Sequence, residues 1–456
     1  MDPNRWGLPK AAVGALPKEL RRFHAHFRPC FKTRTHNGCA HARDYWRGQL
    51  TMEDQRNFAN IERRVHPGGD GQGLQNFMTD SPWSSQAVYA RIQQDIVEKP
   101  ALAHGGLILL DESADAKAGE KSAGAARQWN GRLGKKDVCQ VAVCLAFAHP
   151  TSGLWTLVDG ELFLPEHWFS PENAPLRQQL GIPAERTFQT KPQLGLLLIG
   201  RALERGLPFE RVAADELYGR NRAFRASLGQ LRYALEVPEN TQVRLAANAP
   251  QRWAVQELAQ SPQTPWRWHE VVRWAERGQL VADFAVLRVW TAPRQEAGEE
   301  LWLVLRRDPD GRLSYTLLND PAETPPEVLI QASCQRYLVE CVFEEAKSEL
   351  GWDDFCARKY RAWEHHTALT AAALWFIAGV KLKWRQRCER DPQLKQEFEL
   401  SVLPALSTAN VRDLLRSVMP LPQLSPRQAQ EQVAKHLVNR ARSTSSRWKK
   451  QSENSS

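Results

Sequence analysis

Residues 335–351, QRYLVECVFEEAKSELG, constrain the chain more than any other stretch. They hold no proline and no interior glycine, and their apolar residues recur at three- and four-residue steps, so the spacing predicts a helix. With Arg336 as origin and about 100° per residue, Leu338, Val339, Val342, Phe343, Ala346 and Leu350 share one stripe at roughly 200–340°. That stripe demands a core to cover it. Arg336, Glu340 and Lys347 fall together at roughly 0–40°, along its margin, whereas Glu344 and Glu345 project toward solvent. One carboxylate flanked by two cations therefore sits where a buried face meets a cleft. A solvated helix edge with ordinary ion pairs has the same appearance, and the helix alone leaves both readings open.

The rest of the chain gives that helix a setting. With 456 residues there is room for two or three domains, and 42% apolar with 25% charged residues is the composition of a soluble globular protein. The opening MDPNRWGLPK has no apolar region of the kind a secretory signal needs. The longest apolar run, Ala368–Val380, is too short to span a bilayer and reads as a buried core helix, so no membrane is expected. Eight cysteines without CxxC spacing suit reduced thiols in the cytoplasm. Cys30, His36, Cys39 and His41 are the one cluster resembling zinc ligands, but their spacing is irregular.

The net charge of +9 is unevenly placed: residues 1–66 carry 13 Lys and Arg against 6 Asp and Glu, and residues 404–456 carry 9 against 3. Basic ends around a mildly acidic centre suit a chain that grips a polyanion at its flanks and does carboxylate chemistry between them. Basic termini that merely aid solubility would look the same.

Along the chain, residues 1–100 read as helical, with arginines and aromatics interleaved in a way that suits either DNA-backbone contact or ordinary packing. Leu107–Leu110 reads as a buried strand ending in Asp111, followed by a loop rich in Lys, Gly and Ser. Val138–Phe147 and Gly153–Phe163 form a hairpin, Lys191–Arg205 a helix, and Arg211–Ala214 a short strand ending in Asp215. Residues 230–330 turn β-rich and carry Trp253, Trp266, Trp268 and Trp274, suited either to packing or to stacking on an extruded base. Asn319–Pro326 reads as the exit linker from that region; Ala362–Trp384 is an apolar helix, a further helix surrounds Val411–Val418, and a basic tail and a disordered end close the chain. The expected organisation is thus α/β: a helical region 1–100, a core in two parts at 101–229 and 331–403 interrupted by a β-rich insertion at 230–330, and a helical, basic segment at 404–456.

Asp111 and Asp215 at strand ends and Glu340 at a helix rim can converge in one cleft, since strand ends of a central sheet open into it. Each aspartate alone is equally at home as a turn residue. Three convergent carboxylates need a cation, and hard oxygen donors select Mg²⁺ or Mn²⁺. Two such ions about 4 Å apart would activate a water or a 3′-hydroxyl against a phosphodiester.

These residues resemble a known family. Arg336-x3-Glu340-x6-Lys347 matches the Y-x2-R-x3-E-x6-K signature of a group of bacterial insertion-sequence DDE transposases with an RNase H-like catalytic core, with Ser333 at the tyrosine position. Gly124–Trp129 and Gly134–Gln140 resemble the family's first-aspartate region, where Asp111-Glu112-Ser113 stands for the usual Asp-Asp-Thr. Ala214–Gly219 resembles the second-aspartate motif; Leu164-Pro165-Glu166-x-Trp168, Thr190-Lys191 and Tyr45-x-Arg47-Gly48 match as well, and the likeness covers roughly residues 15–420. The resemblance implies that Asp111, Asp215 and Glu340 are the DDE triad and hold two Mg²⁺ ions, which Mn²⁺ can replace. It implies that Arg336, Lys347, Arg127 and Lys135 contact DNA. It further implies double-stranded DNA as partner (the terminal inverted repeats and the target), a homodimer in the DNA complex, cut-and-paste chemistry with hairpin ends in some members, and a bacterial, nucleoid-associated location. A nuclease that cuts without joining and a silent, transposase-derived regulator remain alternatives.

Overall fold

The computed structural model describes residues 2–453 apart from 6, 7, 54, 68, 70, 132, 272–279, 293–297, 389–392 and 394–405. Trp274 and part of the strand expected from Gln279 lie outside the described residues.

Five helices come first: α1 (Lys10–Phe31), α2 (Cys39–Thr51), α3 (Phe58–Val65), α4 (Gln72–Thr79) and α5 (Ser85–Val97), the last capped by the Ser84 side chain. Their aromatics are core residues. Phe23, Phe27 and Phe31 surround Trp46, whose indole donates to the Leu369 carbonyl at 2.9 Å. Of the two readings open for these aromatics, packing is what the structure displays.

Next come β1 (Leu107–Ala116), β2 (Ala126–Asn130), β3 (Lys135–His149), β4 (Leu154–Phe163), α6 (Ala174–Leu180), α7 (Lys191–Glu204), β5 (Arg211–Ala214), α8 (Glu216–Gly219), α9 (Arg222–Ser227) and β6 (Tyr233–Glu236). Then follow β7 (Gln242–Arg244), β8 (Trp253–Ala254), α10 (Val255–Gln260), β9 (Arg267–Val271), β10 (Leu280–Thr291), β11 (Glu300–Arg307) and β12 (Leu313–Leu318). The chain closes with α11 (Pro326–Ser333), α12 (Tyr337–Glu344), α13 (Tyr360–Cys388), α14 (Thr408–Val418) and α15 (Pro426–Glu453).

The strands form one mixed sheet in the order β2-β3-β1-β5-β6-β12-β11-β10-β7-β8, with β4 also against β3 and β9 also against β10. β1, β5 and β6 run parallel, whereas β3 is antiparallel to β1 and to β4. The architecture is therefore α/β. α7 starts in a capping box between Thr190 and Gln193 and lies on one sheet face, where Gly195 lets it approach Leu110. α12 and α13 cover the other; α13 is apolar nearly all round because it is buried between the sheet and the N-terminal helices.

Several elements differ from the sequence expectation. β1 does not stop at Asp111 but runs on to Ala116, since β3 pairs with it through Cys139. Residues 126–130 are a strand rather than loop, drawn into the sheet by β3. The linker after β12 ends in a helix that starts with Pro326 at its first turn, where the missing N–H costs nothing. The helix expected over 335–351 is α-helical only to Glu344 and widens into a π turn over Glu345–Glu349. That turn rotates Glu345 inward, against Lys381 at 3.1 Å, instead of toward solvent. The basic tail is helical through Glu453. No helix among the described residues is long and apolar enough to cross a membrane.

Candidate active site

Register builds the site. Leu110 pairs with Ala214, and Ala214 with Leu235. The next residue in each case is acidic: Asp111, Asp215 and Glu236 stand abreast on neighbouring parallel strands about 4.8 Å apart, Asp111 midway along β1, Asp215 just past the end of β5 and Glu236 at the end of β6. Asp215 also caps α8, accepting from the Leu217 amide at 3.0 Å, which fixes its carboxylate at the sheet edge. Asp111 accepts from the Glu112 amide at 2.7 Å.

Above this row lies Arg336, at the start of α12. Its guanidinium reaches Asp111 at 3.0 Å, Glu236 at 2.9 Å and Glu340 at 3.2 Å. One planar fork thus ties two strands to the helix, a role that Lys with its single ammonium cannot fill. Burial alone would lower the Arg336 pKa, but Glu236, Asp111 and Glu340 together raise it above its ordinary value. Glu340 is 45% exposed and faces the cleft. Lys347, in the π turn, donates to the Ala114 carbonyl at 3.3 Å and lies 5.8 Å from the centre of the Trp352 ring. π turns inside helices recur at functional sites, because they offset the residues that follow.

The carboxylates here carry a cost of confinement. Burial raises the Asp111 pKa to about 7, with Asp215 and Glu112 adding to it and Arg336 opposing. Asp215 is raised to about 6, again by burial first and by Glu112 and Glu236. Two desolvated carboxylates side by side are held in tension that added positive charge would relieve. Among the described residues, no group of three His, Cys, Asp or Glu side chains stands close enough to hold a metal ion; Arg336 is the cation between them.

The site residues expected from sequence divide accordingly. Asp111, Arg336 and Glu340 are joined directly, Asp215 stands in the same row, and Lys347 lies further along β1 on the same side. Glu112 alternates to the opposite face, where it takes the Tyr218 hydroxyl at 2.8 Å and Lys191 at 3.3 Å. Arg127 and Lys135 are both exposed on the β2–β3 hairpin. They face opposite sides of it: Arg127 is opposite Val138, and Lys135 is opposite Asn130. Lys136, paired with Trp129, shares the face of Arg127. Cys30 and Cys39 give their thiols to the Ala87 and Arg28 carbonyls, and burial pushes the Cys30 thiol up to about 11. Trp253 and Trp266 are partly buried, Trp266 beneath Arg307, whereas Trp268 is exposed. Sequence reading missed Glu236, which ends a four-residue strand inside the stretch read as an insertion; its only signal was an acid closing an apolar YAL run.

A row of acids across adjacent parallel strands, covered by a helix that brings a further acid and its cations, is the arrangement of an enzyme that handles phosphodiesters. Comparison with known proteins agrees. The model of the DDE superfamily endonucleases matches residues 26–282, and that of the transposase DDE domain matches residues 193–376. The chain belongs to the DDE superfamily of endonucleases and, within it, to the DDE transposases, enzymes that act on DNA. It is also similar to the probable transposase for insertion sequence element IS701 from Microchaete diplosiphon, with 26% identity over 306 residues, 63% of this chain and 69% of the relative. Enzymes of this family use divalent metal ions.

Proposed function

We propose that this protein cuts double-stranded DNA at the terminal inverted repeats of its own element and joins the freed 3′-ends to target DNA, with Asp111, Asp215 and Glu340 as ligands of two Mg²⁺ ions. The observation that carries the reading is the juxtaposition of Asp111 on β1 and Asp215 at the end of β5, with Glu340 linked to Asp111 through one guanidinium. The donor set suits the metal: it is all-oxygen, and Asp111 and Asp215 are held above their ordinary pKa first by burial and then by neighbouring carboxylates. When bound, the ions supply Lewis-acid activation of the attacking oxygen and stabilisation of the leaving one. The chain's own residues do the rest. Asp111 and Asp215 are positioned by strand register, Glu340 by the helix above them, and Arg336 and Lys347 bring positive charge to the side of the cleft where a scissile phosphate would lie.

The strand order β4-β3-β1-β5-β6, with β1, β5 and β6 parallel, supports an RNase H-like core made of residues 101–229 and 331–403 together with β6. The β-rich segment to residue 330 is then an insertion, residues 1–100 and 404–456 are flanking helical DNA-contacting regions, and two copies act together on two ends. Cut-and-paste transfer, with or without hairpin ends, follows from the same in-line phosphoryl transfer repeated at one site.

The test is incubation of the full chain with Mg²⁺ and labelled DNA carrying the sequences that flank its gene. End cleavage followed by joining is expected; cleavage without joining would reduce the protein to a nuclease, and a bandshift without chemistry would make it a regulator. Asp111→Ala, Asp215→Ala and Glu340→Ala should each abolish cutting and leave binding intact, and near-wild-type cutting by any of them removes that residue from the site. Arg336→Ala should flatten the salt dependence of binding by about one phosphate contact.

A further inference from the structure

The β2–β3 hairpin continues the active-site face of the sheet and leaves it as an exposed arm. Asp111 is opposite Cys144, Ser113 opposite Ala142 and Asp115 opposite Gln140. Stepping by two along β3 from Cys144 leads to Val138 and Lys136, which are opposite Arg127 and Trp129. Alternation therefore places Arg127, Trp129 and Lys136 on the face that carries Asp111. Trp129 is 58% exposed and Leu133, at the hairpin tip, 47%. The bare indole offers a flat face on which a ring of a partner can stack. Residues 127–136 hold four Lys and Arg and no acid, so the arm favours an anionic partner. Gly134, at φ 61°, lets the tip turn tightly without adding bulk.

We infer that this hairpin is a DNA-gripping arm in which Trp129 stacks on a base drawn out of the duplex while Arg127 and Lys136 hold the neighbouring phosphates. The inference rests on the proposed action on DNA and adds to it a contact site and a stacking residue. Lys136 lies eight residues along β3 from Cys144, roughly 26 Å at the rise of a strand. A duplex lying along that strand would meet Trp129 about eight base pairs from the bond cut beside Asp111. Aromatic and cationic side chains interleaved on one face are what an unstacked base and its backbone require.

The test uses the full chain in metal-free buffer and two fluorescein-labelled 30-base-pair duplexes of mixed sequence, one fully paired and one with three central mispairs. The wild type should favour the mispaired duplex. Trp129→Ala should weaken that complex at least about fivefold, since stacking is worth about 1–3 kcal/mol per base. Trp129→Phe should restore most of the loss. Arg127→Ala and Lys136→Ala should weaken both complexes alike, each lowering the salt slope by about one. All three side chains are exposed enough that the melting temperature should hold, which separates a contact from a folding defect. If wild type binds DNA and Trp129→Ala binds both duplexes equally well, the inference fails and the proposed function stands. If Trp129→Ala instead changes the oligomeric state and not DNA affinity, the indole serves a second copy of the chain and the inference fails. If wild type binds neither duplex, both readings fall together.

Discussion

Asp111 shows how a site residue is paid for in stability. Its folded pKa, about 7, lies above the ordinary carboxylate value of 3.8 because burial disfavours the charge. A raised acid binds its proton more tightly in the folded chain than in the unfolded one, so folding is favoured at low pH and loses stability as pH rises from about 4 to 7. Asp111→Asn keeps the shape and removes the charge. It should stabilise the protein at pH 8 by on the order of 2 kcal/mol, discounted from the full shift for the 16% exposure of the side chain, and leave pH 4 stability nearly unchanged. On the proposed function the same change should abolish cutting, the usual conflict between a strained site and a stable fold. Urea unfolding of both proteins at the two pH values measures it, and a gap of equal size at pH 4 and pH 8 would refute the account. Glu236→Gln probes the neighbouring acid: with one carboxylate fewer on Arg336, the guanidinium is less firmly held over Asp111, and cleavage should fall about tenfold or more while the fold persists. Unaltered cleavage would make Glu236 a bystander.

Among elements, α7 and β1 meet where the fit leaves least room. A Cβ on Gly195 would lie 2.5 Å from Leu110 Cδ2 and 3.1 Å from Tyr218. Gly195→Ala should therefore cost roughly 1–3 kcal/mol by overpacking, and Leu110→Val should recover part of it in a double-mutant cycle. Additive losses would show that the two side chains do not share the strain. Elements of this kind were the legible part of the sequence. The LILL run, the hairpin at His149–Ser152, α7 and the apolar run Ala368–Val380 of α13 each announce themselves by local pattern. What escaped was set by partners. β2 reads as loop because nothing in Ala126–Asn130 alternates cleanly, and only pairing with β3 makes it a strand. Asp111 read as a strand end because apolarity stops there, although the backbone pairing does not. The Asp111–Arg336–Glu340 link followed from helical spacing plus resemblance, whereas Glu236 could emerge only once β6 was known to lie beside β5. The π turn that places Lys347 and turns Glu345 inward leaves no mark on a 3.6-residue period.

At the scale of the whole molecule, one histidine ties the N-terminal helices to the part of the chain that carries the candidate site. His366, on the buried α13, takes the hydroxyl proton of Tyr45 from α2 at 2.7 Å on Nδ1 and donates from Nε2 to the Trp352 carbonyl at 3.0 Å. Trp352 in turn lies beneath Lys347, so the bond set reaches from the first hundred residues to the rim of the active site. This pattern fits a neutral ring, and burial lowers the His366 pKa to about 4 from an ordinary 6.5, with nearby Lys117 adding to the effect. A base held below its unfolded pKa stabilises the fold fully above that value, and the contribution drains away as pH falls through 6.5 toward 4, because the unfolded chain takes up a proton that the folded chain refuses. The loss from this one ring should approach 3 kcal/mol. The raised carboxyls Asp111 and Asp215 titrate with the opposite sign over the same range, so the raw pH dependence of stability mixes the two. Subtraction isolates the histidine: His366→Gln lowers stability at pH 7 but should flatten the slope between pH 6.5 and 4 by up to one proton, about 1.4 kcal/mol per pH unit, relative to wild type. Tyr45→Phe, which keeps the histidine and leaves Nδ1 unpaired, should lower stability while retaining most of the slope. Parallel slopes in wild type and His366→Gln would mean that the ring does not couple the two halves through its protonation, and acid sensitivity would then fall to the neighbouring His365, whose pKa burial also lowers to about 4.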